Sequence, residues 1–200
     1  MRTFPLEFEL RKEILFYPEK PHQAAGDILE IGPGRGDFLL SMAEQLPGKK
    51  LAAIEIGKRR YVKLIPRIQK RGLTNILLIQ GNARVVLPRI FNPGTFEKIY
   101  VLFPDPWPKK RHIPHRLMTV EFITLLADLL RKDGELFFAT DVLAYAEWVT
   151  GNMRAVGQLK SLGSPDFTTV DKFAYYTPTV YEQRWRTEGR AIYYLHYRRK

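Results

Sequence analysis

The stretch Asp27-Ile28-Leu29-Glu30-Ile31-Gly32-Pro33-Gly34-Arg35-Gly36 decides the reading of this chain. Its first half is a short apolar run of strand length. Its second half has glycine at every other position, where a backbone must turn sharply and let a ligand come close. Beyond it, Phe38, Leu39, Met42, Ala43 and Leu46 fall on one face of a helix that Pro47-Gly48 ends.

The alternation continues outward. Leu51-Ala52-Ala53-Ile54-Glu55 makes a second strand, followed by a basic helix over about 58–71 with Tyr61, Val62, Ile65 and Ile68 on its apolar side. Pro66 is expected to kink or split that helix, and Gly72 to cap it. A third strand is expected over 76–80, a fourth over 99–103, and a fifth over 135–139, entered from a turn at Lys132-Asp133-Gly134. Met118, Phe122, Leu125, Leu126 and Leu129 mark the helix before the fifth strand. A further helix is expected near 145–154, loops over 163–178 and a last strand over 191–197. Strands alternating with helices imply an α/β, mostly parallel sheet with helices on both faces. Without repeats, low-complexity tracts or linkers, one domain is expected: an irregular lead-in over 1–26, a core over 27–153 and C-terminal, substrate-side elements over 154–200.

Two hundred residues, 45% hydrophobic and 26% charged, are a globular composition. No cysteine is present, which excludes disulfides, thiolate metal sites and cysteine nucleophiles. The histidines, His22, His112, His115 and His196, lack ligand spacing, so no metal is expected. No apolar run approaches the roughly 18 residues of a membrane span, and the first residues lack a signal-peptide core. A cytoplasmic protein with no membrane partner is expected. Lys plus Arg number 32 against 21 Asp plus Glu, a net charge of +11, which is the footprint of a polyanionic partner, nucleic acid first. The plainer reading of that charge is a solvated basic surface.

The glycine pattern is G-x-G-x-G, and Glu30 stands two residues before the first glycine. A dinucleotide sets its pyrophosphate at the first helix N-terminus, where a neighbouring carboxylate repels it. S-adenosylmethionine brings an ammonium and a sulfonium instead. Glu55 ends the second strand where an acidic group bonds a ribose diol. Asn82 follows the third strand, placed to accept from an adenine amino group. The plainer readings are a capping carboxylate for Glu30 and a solvent-facing strand end for Glu55.

Phe103-Pro104-Asp105-Pro106-Trp107-Pro108-Lys109-Lys110-Arg111-His112 follows the fourth strand. Its three prolines end the strand and leave a stiff loop at the carboxyl edge, where open α/β sheets place their ligands. An ordinary Pro-rich turn, with Asp105 bonding its own backbone, is the alternative. Trp107 either stacks on a base or plugs the loop against the sheet. Lys109, Lys110, Arg111, His112, His115 and Arg116 either receive phosphates or form the solvated face of the next helix.

Glu30 to Gly36, Ile54-Glu55, Leu102 to His112 and Ala139-Thr140-Asp141 together resemble the bacterial tRNA (guanine-N7-)-methyltransferases, the TrmB family. The resemblance covers roughly residues 27–153, with a weaker C-terminal match at Thr179 to Arg184. It implies a Rossmann-like class I S-adenosylmethionine-dependent methyltransferase fold. It also implies a donor site at Glu30, Gly32, Gly34, Gly36, Glu55, Asn82, Ala83 and Asp105, with Asp105 the catalytic residue. On the substrate side it implies Lys109, Asp141 and the segment Thr179 to Glu182, with Lys110, Arg111 and His112 continuing the cationic run. Two positions depart from the family pattern. Asn82 stands where the family has aspartate, and Val180 stands where the closing motif has lysine, whose contact is then either absent or supplied from elsewhere, such as by Arg184. The implied acceptor is a guanosine of tRNA, at position 46 of the variable loop.

The chemistry is consistent with that resemblance. Guanine N7 carries an in-plane lone pair and no proton, so its methylation needs alignment rather than a base. Positive charge builds on the ring, and a fixed carboxylate such as Asp105 can stabilise it. Three other readings stay open on sequence: an adenine-N6 or other amino methyltransferase, a non-catalytic RNA-binding scaffold, and an NAD-dependent oxidoreductase. Glu30 and the lack of a placed hydride-transfer acid disfavour the last. Oligomeric state is not legible.

Overall fold

The computed structural model describes residues 26–163, 167–169, 173 and 176–200, so all but the last residue of the expected lead-in lies outside the described residues. In chain order the elements are β1 (Ile28–Ile31), α1 (Asp37–Gln45), β2 (Leu51–Glu55), α2 (Lys58–Lys70), β3 (Ile76–Gln80), α3 (Ala83–Ile90) and β4 (Phe96–Leu102). There follow a 3-10 turn (Lys110–His115), α4 (Val120–Leu129), β5 (Leu130–Thr140), α5 (Leu143–Ala155), β6 (Leu159–Ser161), β7 (Phe167–Thr168), α6 (Val180–Thr187) and β8 (Tyr193–Arg199).

One sheet runs in the order β3-β2-β1-β4-β5-β8-β6, with β7 also pairing β8. The first five strands are parallel, and β8 enters antiparallel to β5. The chain winds outward through β1, β2 and β3, then returns to lay β4 on the other side of β1. That reversal opens a crevice beyond the carboxyl ends of β1 and β4, the place where such sheets bind ligands.

Burial explains why these runs are strands. Every residue of β1 and β2 is buried, as expected where helices cover both faces of a parallel sheet. Side chains alternate between two cores. Leu29, Ile54, Val101 and Phe138 join Val86, Phe122, Leu126 and Val149 on the α3–α4–α5 side. Ile28, Ala53, Tyr100 and Phe137 join Phe38, Met42, Leu64 and Ile68 on the α1–α2 side.

The structure differs from the sequence reading in four places. α2 runs unbroken through Pro66. The carbonyl left without its donor is that of Val62, which is itself 52% exposed and so open to water. The apolar face of α2 is therefore Tyr61, Leu64 and Ile68, not Val62. α3, whose Ala83, Val86, Leu87 and Ile90 are buried, occupies a stretch not expected to be helical. β5 begins at Leu130, before the expected turn. Asp133, at φ 62, is absorbed as an irregularity in the β4–β5 register. The expected loop region holds β7, and α6 follows directly after it.

Candidate active site

The loop joining β1 to α1 turns through three left-handed glycines, Gly32 at φ 75, Gly34 at φ 59 and Gly36 at φ 79. At Gly36 there is also no room for a side chain, since a Cβ would lie 2.3 Å from Cδ1 of Leu64 on α2. Glu55, at the end of β2 and 1% exposed, fixes the loop from below. One carboxylate oxygen accepts from the Gly34 amide at 3.0 Å and the other from the Gly57 amide at 2.7 Å. Each oxygen keeps a further lone pair.

Glu30 is the unusual member. It is 4% exposed, and its Oε2 is buried with no hydrogen-bond partner among the described residues. Burial, then the neighbouring charges of Glu55 and Asp37, push its carboxyl from 4.5 up to about 8. A buried carboxylate oxygen without a donor costs free energy unless a ligand supplies one. Glu30 lines a groove of about 400 Å³, together with the glycine loop, Phe103 to Pro106, Asp141, Thr179, Tyr181, Trp185 and Arg190.

The loop after β4 is held under backbone strain. Phe103 at φ 51 and Trp107 at φ 42 sit in the left-handed region, which costs a bulky L-residue roughly 1–2 kcal/mol. The Phe103 amide still donates to Ala139 O at 2.8 Å, as if the strand continued. Arg116, 7% exposed, donates through Nε to Pro106 O at 2.8 Å while its guanidinium lies over Tyr145 and Trp148. Arg116 is thus a brace for the loop, neither the phosphate contact nor the solvated surface cation that the sequence left open. Between these anchors Asp105 faces the groove. Trp107 packs edge-on against His112 with ring centroids 5.4 Å apart, and beside His115 at 5.6 Å. His112 also accepts from Arg111 Nε at 3.2 Å. Lys109 and Arg111 are exposed; the Lys110 side chain lies outside the described residues.

On the C-terminal side the structure separates residues that sequence had grouped. Asp141 and Thr179 line the groove. Asp141 already accepts from Arg190 at 3.0 Å, and Arg190 lies 4.0 Å from the Trp185 ring centre. Thr179 Oγ1 accepts from the Glu182 amide at 3.1 Å, capping α6. Glu182 is fully buried behind the wall, where it accepts from Arg186 Nε at 2.9 Å and from the hydroxyls of Tyr176 and Tyr194. Its carboxylate holds α6 against β8 and does not face the groove. Arg184 is turned outward, paired with Glu188 at 3.0 Å. Asn82 is exposed and caps α3, its Oδ1 accepting from the Arg84 amide at 3.0 Å, with Ala83 buried beside it.

Sequence reasoning missed Arg60 and Trp185 as groove residues, and held Tyr181 only within the segment Thr179 to Glu182 and Arg35 only within the glycine loop. The signal for the aromatic pair was present. Thr179-x-x-Glu182 is a capping box, and it announces a helix that carries Tyr181 and Trp185 on successive turns.

Among the described residues, no helix is long and apolar enough to cross a membrane, and no group of His, Asp or Glu is arranged to hold a metal ion. Residues 24–195 match the Methyltransf_4 family, described as "Putative methyltransferase". The chain is 34% identical over 195 residues, 95% of its length and 83% of the relative's, to a tRNA (guanine-N(7)-)-methyltransferase of Syntrophotalea carbinolica. It is 32% identical over 172 residues to one of Thermotoga maritima, covering 84% of this chain and 52% of that relative. A solved SAM-dependent methyltransferase from Aquifex aeolicus shares the fold at TM-score 0.61 and 12% identity, over 89% of this chain and 84% of the other.

Proposed function

We propose that this chain, which belongs to the tRNA (guanine-N(7)-)-methyltransferase family within Methyltransf_4, methylates N7 of a guanosine in tRNA with S-adenosylmethionine as donor. The observation that carries the reading is Glu30: a buried, unpartnered carboxylate oxygen under a glycine loop, in a groove that Asp105 also lines. That donor set suits an ammonium-bearing ligand. Glu30 would hold the ammonium, Glu55 the ribose hydroxyls through its remaining lone pairs, and the Asn82–Ala83 turn the adenine edge.

When bound, S-adenosylmethionine supplies a methyl group on a positively charged sulfur. Methyl transfer forms the N7–C bond, breaks the S–C bond and moves the positive charge from sulfur to guanine, with no proton to remove. The protein's task is therefore placement and charge. Asp105, fixed between the strained Phe103 and Trp107, would hold the guanine edge and stabilise the cation as it forms. Bringing two reactants to near-attack geometry contributes several kcal/mol, up to about 7–11 in favourable cases. Tyr181, 43% exposed on the groove wall, offers the base an aromatic face. Lys109 and Arg111, exposed beside the Asp105 loop, would meet phosphates.

We read the chain as one methyltransferase domain, with the target guanosine at position 46 of the variable loop. Nucleoside analysis of tRNA treated with the protein and labelled donor tests both activity and position. Label in 7-methylguanosine at one variable-loop site is expected, and label in an N6-methyl purine would overturn the reading.

A further inference from the structure

A second cleft, of about 590 Å³, lies between the glycine loop and α2, lined by Gly34, Arg35, Arg60, Lys63, Leu64 and Arg67. Arg60, Lys63 and Arg67 follow one another at helical spacing, so they form one row along the flank of α2 that meets the loop. The helix carries six cations, Lys58, Arg59, Arg60, Lys63, Arg67 and Lys70, and no carboxylate. Like charges three and four residues apart destabilise a helix, and packing does not call for them, since the buried face is Tyr61, Leu64 and Ile68. Only part of the charge is used internally. Arg67 donates to Asp37 at 2.9 Å and to the carbonyl of Arg35. Arg35, Arg60 and Lys63 are exposed.

We infer that this cleft is a second phosphate-binding site, which takes the tRNA backbone beside the glycine loop. The inference rests on the tRNA reading above. Arg35 and Arg60 line both the cleft and the donor groove, so the two are continuous and a chain with one nucleoside in the groove can lay its phosphates in the cleft. The occupant's chemistry follows from the cations left over. A lone carboxylate is matched by one guanidinium fork, whereas the cleft gathers three exposed cations, Arg35, Arg60 and Lys63, beside an Arg67 already held by Asp37. That surplus suits a polymer of anions. Arginine presents a planar fork matched to phosphate oxygens, and lysine a point charge between them.

The test is tRNA affinity measured against salt for the whole protein, its Lys63→Ala variant and its Arg59→Ala variant. Arg59 is an exposed cation of the same helix that does not line the cleft. Both changes remove one charge, so a purely global electrostatic effect would treat them alike. Loss of one phosphate contact should flatten the log–log slope of Lys63→Ala by about 0.7–0.9, with the Arg59→Ala slope matching the wild type. Calorimetric titration with S-adenosylmethionine should give Lys63→Ala the wild-type affinity. Equal slopes for the two variants would overturn the cleft assignment alone. So would weakened donor binding by Lys63→Ala with its tRNA slope intact, which would assign the cation to the donor. A wild type that shows no salt-dependent tRNA binding would overturn the function reading along with it.

Discussion

On the proposed assignment of Glu30 to the donor ammonium, donor binding should release a proton. With its carboxyl pushed to about 8 by burial and by the charges of Glu55 and Asp37, the donor-free protein at pH 6.5 holds the proton in most molecules. The strong, charge-assisted bond to an ammonium needs the ionised form. Ionising Glu30 at pH 6.5 costs about 2 kcal/mol, at roughly 1.4 kcal/mol for each pH unit below its pKa. Donor affinity should therefore rise close to tenfold between pH 6 and pH 7, and each binding event should release about one proton. The donor's own α-amino group, near 7.7–8.0, stays charged at pH 6.5 and does not blur the count. Calorimetry at pH 6.5 in two buffers of different ionisation enthalpy reads that proton directly. Glu30→Gln should release none, show pH-independent affinity, and at pH 7.5 bind roughly 3–40-fold more weakly, for want of an ionic hydrogen bond worth about 1.5–3 kcal/mol less the roughly 0.8 kcal/mol that ionising Glu30 costs the wild type there. The same shift sets the stability of the donor-free fold. A carboxyl raised in the folded state contributes stability that is fully present below about 4.5 and is lost as pH rises through about 8. Glu30→Gln should flatten that decline. Wild-type binding with no buffer-dependent heat would refute the assignment of Glu30 to the ammonium.

Asp105→Ala should lower single-turnover methylation by at least tenfold while leaving donor affinity within about twofold, because the interaction strengthens only as charge develops on the base; equal losses in both would make Asp105 a donor ligand only. Glu182→Ala leaves the Arg186 guanidinium and the Tyr176 and Tyr194 hydroxyls without their shared acceptor. It should cost about 2–4 kcal/mol, read as a midpoint shift in urea unfolding, and an unchanged midpoint would mean the knot holds nothing. A tRNA carrying 7-deazaguanosine at the target position should bind with normal affinity and accept no methyl, since its phosphates are intact and its N7 lone pair is gone. Methylation of that analogue would move the reaction to another atom.

What was legible in the sequence was what burial enforces. β1, β2 and β3 show as apolar runs because helices cover both their faces, and the alternate glycines announced the three left-handed turns that lead into α1. α3 was hidden by Pro88 and by arginines at its two ends, so its four buried side chains did not stand out as a stripe. Charge was the harder signal. Arg116 and Lys109 look alike in sequence, yet one is sunk over two aromatic rings and the other is in water. Spacing along the chain cannot tell a brace from a ligand, because the distinction is made by α5, which supplies those rings. Glu182 was misplaced for a related reason. Thr179 and Glu182 read as a contact motif, but the Glu182 amide completes a cap while its carboxylate points backward to hydroxyls brought there by Tyr176 and by β8.

The position of β8 governs when the groove comes into being. β1, β2 and β3 pair across 23 to 25 residues, whereas the pairings that complete the groove are long, 70 residues from Ile28 on β1 to Lys98 on β4 and 63 from Glu135 on β5 to Arg198 on β8. Loop-closure entropy makes the long pairings the slower ones. The glycine loop, Glu30 and Glu55 can therefore be in place while the wall of Thr179, Tyr181 and Trp185 is still unmade, because that wall hangs on Glu182 and its bond from Tyr194 of β8. In a refolding experiment, amides of β1 to β3 should gain protection from hydrogen exchange before those of α6 and β8. A chain caught between the two stages would hold its methyl donor in a half-open crevice that has yet to acquire any means of choosing an acceptor.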